Sequence, residues 1–177
     1  MKGITLVEIL LTVLITSFIV AAIYGTLTTG NLTYLTDMGM LDLQQQARQG
    51  MDRMLRYIRE TSGANITSIV QDPPSITFKL NNIFTGNVST SITYSLDQTN
   101  HIINFNSTPA IPGYNIPKIA TGITSLSFFC CPGGVNCGTS CDASTTVVQI
   151  QIVANSTVMN KPLAFNLTEK VRLRNGN

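Results

Sequence analysis

Apolar side chains run almost without interruption from Ile4 to Leu27, in the stretch ITLVEILLTVLITSFIVAAIYGTL. At 1.5 Å per residue this is a helix of roughly 36 Å, long enough to cross a hydrocarbon core. Glu8 is the one charge within it. Gly25 and Gly30 follow, with Thr26, Thr28, Thr29 and Thr33 around them. Glycine costs about 1 kcal/mol in a helix interior and threonine is stiff at χ1, so a loosened or bent stretch is predicted here. The 3.6-residue period resumes in DLQQQARQGMDRMLRYIRETSG. There Ala47, Met51, Met54, Leu55 and Ile58 share one apolar face, and Arg48, Asp52, Arg56 and Glu60 lie four apart on the other. Ser62-Gly63 reads as the helix end.

From Ile66 the period switches to two. Strands are predicted at Ser75–Leu80, Val88–Leu96, Ile102–Phe105, Ile123–Cys130, Thr146–Val153 and Leu163–Leu173. Asp97-Gln98-Thr99-Asn100 reads as a hairpin turn, and Pro109, Pro112 and Pro117 mark an irregular connection. One long helix followed by an antiparallel sheet is an α+β arrangement, with the Met51–Ile58 stripe forming one side of the core.

Composition narrows the function. The 177 residues carry 11% charged side chains, a net charge of +2, one His and no Trp. So weak a positive charge does not suit a nucleic-acid binder working through bulk electrostatics, and no specific nucleic acid is inferred. A mean hydropathy of +0.22 argues against intrinsic disorder. Ser, Thr and Asn replace charge through the second half, and four Cys lie between Cys130 and Cys141. Both features point to an exported, oxidised domain.

By length alone three readings fit the first thirty residues. The segment is a secretory signal cut near Val20-Ala21-Ala22, a plain membrane anchor, or an anchor that is also the packing core of a filament. Lys2 at its start keeps that end cytoplasmic and exports the rest. A carboxylate in a membrane span is costly and usually has a named partner, yet no basic residue stands near Glu8.

Lys2-Gly3-Ile4-Thr5-Leu6-Val7-Glu8 followed by the apolar run resembles the type IV prepilin signature. The resemblance implies cleavage after Gly3 by a prepilin peptidase that also N-methylates the new terminus, Ile4, and places Glu8 at the fifth mature position. An α-amino group at Ile4, with a reference pKa of about 7.7–8.0, is cationic and can neutralise Glu8 of a neighbouring subunit inside an apolar core. The leader is only three residues long, and Ile stands where Phe or Met is more usual.

The arginine-bearing helix, the final strand Phe165–Asn175 and the total length are similar to PilW-like minor pilins and to J-type minor pseudopilins of type II secretion. A basic strand motif expected of that subgroup is replaced by Asn100-His101-Ile102-Ile103-Asn104. The resemblance implies a pilin-like α+β fold divided into a leader (1–3), a transmembrane and filament-core helix (4–27), an amphipathic helix (28–63) and a β-rich domain (64–177). It further implies a non-enzymatic subunit without cofactors, anchored once in the inner membrane with its C-terminal domain exported. Its implied partners are the peptidase, other major and minor pilins, the inner-membrane assembly platform and the membrane itself. A pseudopilin acting in protein export, or a membrane-anchored binding module, are the alternatives.

Cys130, Cys131, Cys137 and Cys141 lie in a Pro/Gly-rich loop between two predicted strands. A tetrahedral zinc site uses four thiolates, but adjacent Cys without a Cys-x-x-Cys pair suit it poorly, and outside the cytoplasm disulfides are the default. Two disulfides are therefore expected in the loop 130–141, with metal or free thiols as alternatives. Of the three connectivities, the one with a vicinal bridge is the most strained. The nested pairing, Cys130 with Cys141 and Cys131 with Cys137, is adopted as the expectation. His101 has no cluster of ligands or catalytic partners around it. Asp97 and Asp142 are separate loop acids, and no nucleophile motif or close carboxylate pair is present.

Overall fold

The computed structural model describes residues 5–80, 89–111 and 118–174. A single helix, α1 (Leu6–Arg59), spans 54 residues, roughly 80 Å at helical rise. The loosening expected between Gly25 and Thr33 is absent. The span contains no proline, and its hydroxyls fold back on the helix. Thr12, Thr16, Ser17, Thr26, Thr28, Thr29, Thr33 and Thr36 each donate to a carbonyl three or four residues earlier, at 2.7–3.2 Å. Two interior glycines cost about 2 kcal/mol, too little to melt a helix propagated from both sides.

The helix also stops earlier than expected, at Arg59. Glu60 N–H donates to Tyr57 O and Thr61 N–H to Ile58 O, which tightens the last turn. A short 3₁₀ turn (Gly63–Asn65) then redirects the chain.

Among the described residues eight antiparallel strands form two sheets rather than the one expected. The first sheet runs in chain order through β1 (Ile66–Gln71), β2 (Pro74–Leu80), β3 (Thr90–Asp97), β4 (Ile102–Thr108) and β5 (Lys118–Thr121). The second is β6 (Ile123–Pro132), β7 (Thr145–Val158) and β8 (Lys161–Arg172). Gly122, at φ 72°, makes the step between them, in a region of φ open to few other residues.

Neither β1 nor β5 was predicted as a strand. A bulge between Ile66 and Ser68 breaks the alternation in β1. In β5 the pattern is exposed-buried-buried-exposed over only four residues. It closes the Pro-rich connection, of which Pro112 and Pro117 lie outside the described residues. The expected hairpin at Asp97–Asn100 joins β3 to β4.

One face of α1 packs on both sheets. Leu43, Ala47, Met51, Met54 and Ile58 are buried against Ile76, Phe78, Ile92, Ile103, Leu126, Phe128, Val148 and Ile150, while Leu55 is half-buried. Arg48, Asp52, Arg56 and Glu60 are exposed, as their spacing predicts. An aromatic row crosses the core: Tyr57 to Phe105 at 5.9 Å, Phe105 to Tyr94 at 5.5 Å and Tyr94 to Phe78 at 6.0 Å. The Tyr94 hydroxyl donates to Arg53 O at 3.3 Å and fastens the sheet to the helix. Two helical glycines permit close approach. A Cβ at Gly50 would lie 2.9 Å from Ala120 Cβ, and one at Gly39 would lie 2.7 Å from Val158 Cγ2.

Candidate functional site

Among the described residues, the N-terminal half of α1 touches no other element. Leu6, Val7, Leu10, Leu14, Phe18, Ile23, Tyr24 and Leu27 are all exposed, and an 18-residue window of mean hydropathy 2.6 is wholly unburied. A helix that is apolar all round has no face suited to water. Each such side chain left in water forgoes about 1.5–3 kcal/mol, so the stem requires cover from lipid or from other helices. The back-bonded hydroxyls suit either setting, because they leave no unmet donor.

Glu8 sits in the first turn of this stem and is exposed. Its position is electrostatically sound, since a carboxylate near a helix N-terminus is favoured by the helix dipole. Within the helix the first cation is Arg48, about 60 Å along the axis. Gly3 and Ile4 lie outside the described residues.

The same exposed face continues past the membrane-length stretch. Tyr34, Met38 and Leu41 stand at helical spacing and are about half exposed or more, at 59%, 50% and 58%. They extend the apolar surface to the level at which the core face begins with Leu43.

At the other end of the domain, Cys130 is joined to Cys141 and Cys131 to Cys137. Adjacent residues of a strand point to opposite faces, so the two bridges leave β6 on opposite sides. Cys130 is buried in the core, and Cys141 packs against it. Cys131, itself fully buried, lies on the opposite face of the sheet with Gln149, whose Oε1 lies 3.8 Å from Cys137 Sγ. The loop folds back on its own strand: Cys130 N–H donates to Gly138 O at 2.7 Å, and Gly138 N–H to Cys130 O at 2.8 Å. It therefore covers the outer margin of β6. Val135 at its tip is 80% exposed.

Two loop acids hold turns. Asp97 accepts from the Asn100 side chain at 2.7 Å and from the Asn100 and Thr99 N–H groups at 3.0 Å. These bonds, the side-chain one foremost, hold its carboxyl below the ordinary value of 3.8. Asp142 is lowered likewise, chiefly by the Ser144 hydroxyl at 2.7 Å and then by that of Thr145. A carboxyl whose pKa is lower in the folded chain stabilises fully above its unfolded pKa, and that contribution is lost as pH falls through the lowered value. The melting temperature is thus expected to fall on acidification below about pH 4. The slope should be shallower in an Asp97→Ala/Asp142→Ala variant, and identical slopes in thermal melts would discount both turns.

His101 is an exposed turn residue at φ 55°. Among the described residues no group of three His, Cys, Asp or Glu side chains is placed to hold a metal ion.

No family model and no curated protein matches this sequence. Among solved structures, a type IV-like pilin from Thermus thermophilus superposes with a TM-score of 0.59 over 75% of this chain and 97% of that one, at 8% identity. At that identity the likeness is one of fold. The long apolar helix packed on antiparallel sheets is the pilin-like fold.

Proposed function

We propose that the chain is a structural, non-enzymatic subunit of a type IV pilin-type filament, acting as a minor pilin that aids assembly. The observation that carries this reading is the unbroken helix. Among the described residues its apolar first half is uncovered and bears a single acid, Glu8, in its first turn, while its second half is sealed into an exported-type domain. Such a stem can reside in the bilayer as a monomer and move into a bundle of like stems without refolding.

In this reading the peptidase cuts after Gly3, Ile4 is N-methylated, and the α-amino group of one subunit meets Glu8 of the next. Pairing in a low-dielectric bundle is worth far more than in water, so it selects axial register. The assembly platform and neighbouring pilins are the further partners. Service as a minor pseudopilin in protein export uses the same stem and the same chemistry, and identification of the co-purifying subunits separates the two roles.

Mass spectrometry of the N-terminus is the direct test: a chain beginning at methylated Ile4 is expected. Glu8→Ala should leave membrane insertion intact and reduce incorporation into filaments by about tenfold or more, measured as the sheared fraction against the membrane fraction. A working protein that retains Met1-Lys2-Gly3, or a Glu8→Ala chain that assembles normally, would overturn the reading.

A further inference from the structure

Five cations gather where α1 ends beside β8. Arg56 and Arg59 come from the last helical turns, and Lys170, Arg172 and Arg174 from the end of β8 and the residues after it. With Asp52 and Glu60 they line two adjoining clefts of about 310 and 490 Å³, which share Arg59 and Glu60. Counting Glu169 as well, this end holds five cations against three carboxylates. That surplus of two equals the net +2 of the whole chain, and the other six cations and six acids cancel. Among the described residues the one ion pair is Arg174 Nη1 with Glu60 Oε2 at 3.2 Å. Arg56, Arg59, Lys170 and Arg172 are exposed.

The strand beside them supplies a second, independent observation. β8 pairs with β7 in unbroken register from Val147↔Arg172 to Val158↔Lys161, and among the described residues nothing pairs with its other side. The remaining sheet margins are blunted. The disulfide loop crosses β6 at Cys130↔Gly138, and Gln71 Nε2 donates to Phe128 O at 2.8 Å. A bulge interrupts β1, and β5 is four residues long. Alternate residues along the twelve of β8 thus present an open row of backbone donors and acceptors.

We propose that this edge receives an extended, acidic segment of a partner protein as a fourth strand of the β6-β7-β8 sheet. The backbone row matches a polypeptide, whose own N–H and C=O groups repeat at strand spacing, and not a phosphate chain. No aromatic side chain lines either cleft, so nothing there stacks a base. A second copy of this chain would bring the same surplus of cations to the seam. Lys170 and Arg172 point to one face of β8, two residues apart, so acids at alternate positions of the incoming strand sit opposite both. Arg56 and Arg59 of the helix end lie beside the cleft shared with that edge. The inference uses only the helix end and β8, and it stands whether or not the stem assembles into filaments.

The test is binding of a labelled octapeptide alternating Glu and Thr to the full-length protein in zwitterionic micelles. Saturable binding is expected. N-methylation of alternate residues in one register should weaken it about tenfold or more, while the other register is tolerated, because only one set of N–H groups faces the edge. Lys170→Glu/Arg172→Glu should weaken it by a similar factor. If that strand variant melts early, Arg56→Glu/Arg59→Glu on the helix gives the same reading without touching the sheet. Absence of binding, equal tolerance of both methylated registers, or tighter binding of inorganic polyphosphate than of the peptide would overturn the proposal.

Discussion

Replacing Gly63 by alanine is expected to destabilise the domain by about 3 kcal/mol, the upper part of the range for forcing atoms into a filled site. Gly63 is buried in the 3₁₀ turn that follows α1. A Cβ there would lie 2.5 Å from Asp142 O, 2.6 Å from Thr145 O and 2.9 Å from Thr145 Cβ. The first two neighbours are backbone atoms in a turn fixed on both sides. Asp142 N–H donates to the Thr145 hydroxyl at 3.0 Å, and Thr145 N–H donates to Asp142 O at 3.1 Å. Neither can retreat as the end of a flexible side chain would, so the helix end and the start of β7 must part. For a chain of this size the melting temperature should fall by about 6–12 °C. Gly25→Ala is the control: a Cβ there meets nothing within 4 Å, and the melt of the domain should not move. Equal melts for the two variants would mean that the Gly63 contact relaxes without cost.

Removing the outer disulfide should be of similar size. Joining Cys130 to Cys141 closes a loop of a dozen residues, for which the chain-entropy model gives about 3 kcal/mol at 25 °C. The inner bridge, Cys131 to Cys137, closes a shorter loop and is worth slightly less alone. Because one loop lies inside the other, the two contributions do not add, and full reduction should cost less than their sum. Cys130 is fully buried in the core. Alanine is therefore the better replacement, since serine would leave a hydroxyl to satisfy there. Urea titration of Cys130→Ala/Cys141→Ala should show an earlier midpoint, with Cys131→Ala/Cys137→Ala between it and the parent. A parent protein whose midpoint does not respond to reductant would exclude a stabilising role for either bridge. Loss of the bridges also frees the loop from the β6 margin at Gly138, which would expose a second open edge beside the core.

The first of these effects concerns a contact between residues about eighty positions apart, and this marks where reading the chain in one dimension stops. The Met51–Ile58 stripe was legible because helical spacing is a local property, and the same holds for the exposed row Arg48, Asp52, Arg56 and Glu60. The turn at Asp97–Asn100 was legible because its hydrogen bonds run between near neighbours. Local propensity misled at Gly25–Thr33, where threonine hydroxyls bonded back to helical carbonyls take the place of solvent. Strand β1 escaped notice because its bulge shifts the alternation, and β5 because four residues are too few to show one. The division into two sheets turns on one glycine at φ 72°. The apolar stem and Glu8 stood out at once. The basic end did not, because Glu60 and Arg174 lie 114 residues apart in the chain.

The order of residues alone therefore settled that this protein has a lipid-length apolar helix, an amphipathic continuation and a β-rich domain with a cysteine loop. Each of these is written in a period or spacing that neighbours along the chain share. Only folding decided that the helix runs unbroken, that Gly63 is the hinge-pin of the packing, and that scattered arginines and lysines meet beside an open strand. Those outcomes depend on which distant backbones come within a few ångströms of each other, and no local pattern encodes that distance.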